Sequence, residues 1–299
     1  MNGVIVINKE EDFTSFDVVA VVRKTLGEKK VGHTGTLDPN AKGVLPVLLG
    51  SATKAQDIIE NHDKRYTASF RFGLLTDTLD IWGEVQKKEE SHITKEALLS
   101  VLPNFVGDIT QIPPMYSAVK VNGVRLYDLA RQGKEVERTE RTVTVYSIEL
   151  LDFDEKNQTG TLDIFCSKGT YIRTLIDDIA KALDTIGTMT SLTRTFACSY
   201  TLADAITLNE LKEAVANGDV NKYIKSVESL FENYDELVVS DAQAFRFKNG
   251  NSLDIERTEL RKSSVEDKKI FRIKDKEKNF ISLGITDTEK GVIKLYKHF

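Results

Sequence analysis

Short apolar runs alternate with polar turns along the first two hundred residues, and their periods change repeatedly. The Val/Ile run at 3–8 predicts a strand, and Ser15 is placed to cap a helix carrying Val18, Val19 and Val22 on one side and ending at Gly27. A polar, turn-rich loop occupies 31–43, followed by the apolar run 44–49. Residues 51–60 have a helical pattern, and 65–72 alternate as a strand does. Thr94 caps an amphipathic segment at 97–102 that Pro103 halts. Residues 116–121 predict a strand entering a tight turn at Asn122-Gly123, with a short helix over 125–131 before Gly133. Strands at 143–153 and 160–167 form a hairpin across the polar turn 154–159. Gly169-Thr170 then opens a helix with Ile172, Leu175, Ile176, Ile179 and Leu183 on its apolar side, and 192–200 is extended again.

From about 237 the texture changes to short strands, at 238–239, 270–273, 280–283 and 292–296, between turns rich in Lys, Asp, Glu and Asn. This divides the chain into a larger unit at 1–236 and a small β-rich one at 237–299. Strands and helices mix irregularly, which favours an α+β fold over a doubly wound parallel sheet.

The chain of 299 residues holds only two cysteines, Cys166 and Cys198, in no C-x-x-C pair. That spacing points to no zinc site and no disulfide framework, so a reducing, cytoplasmic location is expected. No run of 18 apolar residues occurs and the N-terminus lacks a basic leader, so no membrane segment or signal peptide is expected. The formal net charge of −5 opposes a nucleic-acid partner in sum but not in distribution. Acidic residues concentrate after 200 and at 84–96, whereas Arg23, Lys24, Lys29, Lys30 and Lys42 lie close to the loop at 31–43.

Within that loop Asp38 stands between Leu37 and Pro39, where a carboxylate on a rigid turn is placed to act as nucleophile or base. Asp before Pro is also an ordinary turn initiator. Its surroundings decide between these. Gly32-His33-Thr34-Gly35-Thr36-Leu37-Asp38-Pro39-x-Ala41-x-Gly43-Val44-Leu45-Pro46 resembles the active-site motif of the TruB family of tRNA pseudouridine synthases. Further segments match the same family in order. They are Lys9 with Thr14-Ser15-x-Asp17-Val18-Val19; Tyr66 with Phe72-Gly73 and Thr76-Asp77-Thr78-x-Asp80-x-x-Gly83; Gln111-x-Pro113-Pro114-x-Tyr116-Ser117-Ala118-x-Lys120; and Gly123-x-x-Leu126-Tyr127-x-x-Ala130-Arg131. Lys168-Gly169-Thr170-Tyr171-Ile172-Arg173-x-Leu175 and Leu192-x-Arg194 complete the set. There is one departure: the family's Lys-Pro-x-Gly becomes Lys9-Glu10-Glu11-Asp12, which removes the proline–glycine turn.

The resemblance implies a mixed, largely antiparallel catalytic sheet with a small PUA-like RNA-binding unit at the C-terminus. It implies isomerisation of uridine to pseudouridine in the T-loop of tRNA, at position 55, on an everted base. Asp38 is then the attacking carboxylate and Arg173 its ion-pair partner; a bidentate guanidinium would hold the carboxylate in one orientation. Tyr66 would stack on the target base and help remove the C5 proton. Tyr171 and Leu192 would wall the uracil pocket, His33 would stack into the loop the nucleotide has left, and Lys9 and Asp80 would complete the substrate-binding set. The chemistry needs no metal or organic cofactor, and tRNA is the expected partner of a chain acting as a monomer.

Overall fold

The structure, a computed structural model, describes residues 1–299 apart from Asn61, Ala118, Asn122, Arg131, Glu135 and Ser263. Four strands come first: β1 (Gly3–Lys9), β2 (Val31–His33), β3 (Lys42–Leu49) and β4 (Lys64–Phe72). A hairpin, β5 (Leu74–Thr76) and β6 (Val85–Lys88), precedes β7 (Gly107–Gln111) and a second small hairpin, β8 (Lys120–Val121) and β9 (Val124–Arg125). The long pair β10 (Arg141–Asp154) and β11 (Thr159–Cys166) follows, then β12 (Gly187–Ala197), β13 (Tyr200–Thr201) and β14 (Ile224–Lys225). All but the two small hairpins build a ten-stranded sheet in the order β14-β1-β3-β12-β4-β11-β10-β7, with β2 on β3 and β13 on β12. Every pairing in it is antiparallel except β3 with β12.

The sequence period explains how this sheet is covered. In β4 the side chains of Tyr66, Ala68, Phe70 and Phe72 are buried while those between them are not. They face helix α4 (Ile172–Ala182), whose Ile172, Leu175, Ile176 and Ile179 join them in one core. Strands β1 and β3 instead read as unbroken apolar runs because both of their faces are covered. Ile5, Ile7, Leu45, Val47 and Leu49 pack under α1 (Ser15–Leu26) and α5 (Leu208–Ala216). Val4, Val6, Val44 and Leu48 point the other way, onto Leu230, Phe231, Tyr234 and Leu283.

Leu283 belongs to a second sheet of five strands, in the order β15-β17-β18-β19-β16. Its members are β15 (Asp235–Val238), β16 (Leu253–Asp254), β17 (Ile270–Lys274), β18 (Phe280–Asp287) and β19 (Val292–Lys297). Arg272 ties this sheet to the rest by donating to Glu228 Oε1 at 2.8 Å and to the carbonyl of Tyr234 at 2.9 Å. The architecture is thus α+β with largely antiparallel sheets, as the irregular element order implies. Among the described residues no helix is long and apolar enough to cross a membrane.

Several local expectations change. Helix α1 is capped by Thr14, not Ser15: Thr14 Oγ1 accepts from the Asp17 amide and Asp17 accepts from the Thr14 amide, a complete capping box. Residues 51–60 carry only a 3₁₀ turn over Gly50–Ala55, since Gly50 at φ 61° sharply redirects the chain after β3. Two further helices, α5 and α6 (Asp241–Lys248), lie where no helix was predicted, each with its own capping box, Thr207/Glu210 and Ser240/Gln243. Helix α2 (Lys95–Val101), capped by Thr94, lies over the amphipathic segment expected at 97–102, and helix α3 (Leu126–Ala130) occupies the short segment expected at 125–131, of which Arg131 lies outside the described residues, as does Asn122 of the expected turn.

Candidate active site

Asp38 follows β2 in a turn closed by the Ala41 amide donating to the Asp38 carbonyl at 3.0 Å. The chain on both sides of it is pinned from beneath. Ser15 Oγ accepts from the Leu37 amide at 2.9 Å and donates to the Leu37 carbonyl at 3.2 Å. Lys9 Nζ donates to the carbonyls of Pro39 at 2.8 Å, Glu10 at 2.8 Å and Phe13 at 2.6 Å. Arg194, fully buried, donates from Nε to Val44 O at 2.8 Å and from its terminal nitrogens to Gly35 O at 3.1 Å and Thr36 O at 3.4 Å. The turn is therefore bonded through its main chain at Gly35, Thr36, Leu37 and Pro39, which leaves the Asp38 side chain to project from it. Gly43 makes this closeness possible: at φ 105° it lies so near Arg194 that a Cβ there would sit 2.2 Å from the Arg194 carbonyl.

Lys9, expected among the substrate-binding residues, lies beneath the turn. Its ammonium has no exposed surface, and three carbonyls take its three donors, so it serves to position the turn. Burial pushes its pKa down to about 8. The missing proline–glycine turn is replaced: Asp12, at the position of the family's glycine, adopts φ 64°. Asp is one of the few residues with a side chain that enters this left-handed region readily.

From the other side Arg173 reaches the same turn. Its side chain is 6% exposed, and Nη2 lies 3.0 Å from Asp38 Oδ2 while Nη1 lies 3.4 Å from Asp80 Oδ2. The same two nitrogens donate to Tyr116 O and Thr78 O, each at 2.9 Å. The expected two-toothed fork on Asp38 is not what forms. The guanidinium is divided among two carboxylates and two carbonyls, because Asp80 and the 76–83 loop close over its second nitrogen. Asp38, 45% exposed, keeps its other oxygen free of the pair. Asp80 is further held by Thr78 Oγ1 at 2.7 Å and by the Trp82 amide at 3.3 Å. Burial pushes the Asp80 carboxyl up, opposed by the Thr78 hydrogen bond and the Arg173 charge.

Tyr66 stands on β4 between Ile164 of β11 and Arg194 of β12. It is 7% exposed and shares a core with Leu37 and with Leu192, which lies opposite Ala68. Burial pushes its phenol up to about 12, with the Arg194 charge opposing. Tyr171 is the residue before α4, and its amide and carbonyl are both engaged by the buried side chain of Gln111, at 3.0 and 3.2 Å. His33 ends β2; burial, then the Arg194 charge, push its pKa down, and its Nδ1 is buried without a partner. So Asp38, Arg173 and Asp80 are joined by direct contacts, Tyr66 and Leu192 share the core beneath Leu37, and Lys9 lies below the loop.

Arg194 and Gln111, to which the sequence assigns no role beyond a place in the family's motifs, also belong to the site. Neither carries a local signal of its burial: Arg194 stands between Thr193 and Thr195, and Gln111 follows Thr110, so only partners distant in sequence explain why both are buried. Among the described residues no three His, Cys, Asp or Glu side chains gather as a metal site.

Comparison with known proteins fits this arrangement. The model of the TruB family pseudouridylate synthase N-terminal domain matches residues 23–172, and that of the tRNA pseudouridylate synthase B C-terminal domain matches 173–232. The tRNA pseudouridine synthase B of Clostridium perfringens strain 13 is 46% identical over 292 residues, 97% of each chain. That of Alkaliphilus oremlandii is 44% identical, covering 85% of this chain and 83% of its own. A solved Cbf5-Nop10-Gar1 complex contains a chain that is 26% identical with a TM-score of 0.75, covering 99% of this chain and 84% of that one. Fold and site together define an enzyme of the pseudouridylate synthase class. Within that class, the chain belongs to the TruB family.

Proposed function

We propose that this enzyme isomerises uridine to pseudouridine at position 55 of the tRNA T-loop, with Asp38 as nucleophile on an everted base. The reaction breaks N1–C1′, turns the uracil and joins C5 to C1′; the hydrogen on C5 leaves and N1 gains one, so composition and redox state are unchanged. The observation that carries the reading is the half-exposed Asp38 carboxylate, tied at 3.0 Å to a buried Arg173 on a turn whose main chain is bonded at four residues. A side chain so oriented meets the geometric demand on a nucleophile that must reach one nucleotide.

Eversion is required because a base inside a folded loop is out of reach, and it costs a few kcal/mol of unstacking. Tyr66, Tyr171 and Leu192 wall the pocket that offsets this cost, and Tyr66 is the group assigned to C5 proton removal. Asp80 holds Arg173, and a neutral His33 suits stacking in the vacated loop. Names of the relatives, tRNA pseudouridine synthase B, support tRNA as the substrate. The segment 237–299 acts as a PUA-like unit that holds RNA outside the catalytic site, and the enzyme works as a monomer without a protein partner.

The test is direct. Unmodified tRNA transcript incubated with the protein should yield one pseudouridine per molecule at the T-loop uridine, read by nucleoside chromatography after site mapping. Free uracil with an abasic site would make the enzyme a nucleosidase instead, and an unchanged transcript would leave it a binding protein.

A further inference from the structure

Phe16, the second residue of α1, is 63% exposed and belongs to none of the cores that α1 helps to build. Two contacts fix it relative to the catalytic turn. Through the main chain, it follows Ser15, whose hydroxyl exchanges both hydrogen bonds with Leu37 beside Asp38. Through its ring, it meets His33 edge to face, with centroids 5.7 Å apart and planes at 83°. The capping box of α1 holds this end of the helix in place.

The two rings make an open aromatic corner. Along the same helix, Ala20, Arg23 and Lys24 stand four, seven and eight residues on, so they share the face that carries Phe16. All three are exposed. A flat apolar ring, a small residue and then two cations in line form a track that takes a base at one end and phosphates at the other.

We infer that Phe16 is a stacking surface for a second nucleobase of the RNA arm, next to the one that His33 meets. The inference rests on the proposed RNA substrate, and it makes Phe16 a binding residue that governs how tightly the arm is held. It takes no part in bond making. Its occupant is a nucleobase because cations share its face and a heteroaromatic ring adjoins it, a setting for a charged backbone with planar bases.

Binding of a labelled T-arm stem-loop by fluorescence anisotropy, with steady-state turnover on the same RNA, tests this in Phe16→Ala, Phe16→Leu and Phe16→Tyr. Loss of one base–aromatic stack at an open surface should raise Kd and KM by about fivefold to tenfold in the Ala and Leu variants, with kcat unchanged. The Tyr variant, which keeps the flat face, should stay within about twofold of the parent. The inference is overturned if Phe16→Ala binds as the parent does, or if Leu matches Tyr, which would leave apolar bulk as the only requirement. A fall in kcat at constant Kd would also overturn it, by assigning Phe16 to the positioning of Leu37. Should the parent bind the stem-loop yet form no pseudouridine, the proposed reaction fails while the Kd series still decides the role of Phe16.

Discussion

Replacing Arg173 by Lys preserves the charge and removes the geometry. The guanidinium spans four oxygens from two nitrogens: Asp38 Oδ2 and Tyr116 O from Nη2, Asp80 Oδ2 and Thr78 O from Nη1. An ammonium is a single point and can serve one of these pairs, not both. One carbonyl and one carboxylate oxygen then lose the charged donor that Arg173, itself 6% exposed, supplies. At about 1.5–3 kcal/mol for each hydrogen bond to a charged group, the loss of stability should be about 3–6 kcal/mol. Activity should suffer separately, because Asp38 loses the contact that orients it; a displacement of about 1 Å in a reacting group costs on the order of 10²-fold. Single-turnover pseudouridine formation at saturating tRNA reads the second effect, and urea denaturation of the free protein reads the first. Combining the change with Asp80→Asn tests the shared guanidinium, since both act on one group and their stability losses should not add. Parental single-turnover rates in Arg173→Lys, or a loss confined to KM, would refute the reasoning.

Tyr66→Phe should bind RNA like the parent but lose roughly 10²–10⁴-fold in turnover if the Tyr66 phenolate accepts the C5 proton. With its pKa raised to about 12, the phenolate is scarce at neutral pH, so the parental rate should climb steadily from pH 7 to 9; a flat profile in that range removes Tyr66 as the base. For Lys9 the sign follows from its lowered pKa: folded near 8 and ordinarily 10.5, it holds its proton longer in the unfolded chain, so stability should rise as pH passes from about 8 to 10. Denaturation midpoints measured across that window should slope upward in the parent and less so in Lys9→Met. Asp12→Gly should raise the melting temperature and Asp12→Val lower it, because φ 64° suits glycine and excludes a β-branched side chain. Equal melting temperatures in the two variants would show that this turn carries no strain.

How much of this was legible depended on whether a residue's partners were local. The alternation at 65–72 marked a strand, and the structure adds that Tyr66, Ala68, Phe70 and Phe72 are its inward set because one face of β4 alone meets α4. The unbroken run of β1 also read correctly as a strand, though only the structure shows that α1 and α5 cover one face and Leu283 the other. Thr14 and Ser15 are adjacent hydroxyls, and the spacing Thr14-x-x-Asp17 was the signal that the first of them caps α1. Ser15 was then free for Leu37, a contact 22 residues away that no local pattern encodes. Lys9 and Arg194 were the hardest to read, since a cation in a strand suggests solvent or substrate. Their true partners are carbonyls brought together by β1, β3 and β12. Arg173 was visible by resemblance, but its division between Asp38 and Asp80 follows from the closing of the 76–83 loop.

The central claim of the proposal is that the Asp38 carboxylate does the chemistry. Asp38→Asn retains the shape of the side chain and an acceptor for Arg173, and should bind the T-arm with a Kd within about twofold of the parent while turnover falls by at least about 10⁴-fold. Turnover in that variant within tenfold of the parent, at equal RNA affinity, would contradict the account.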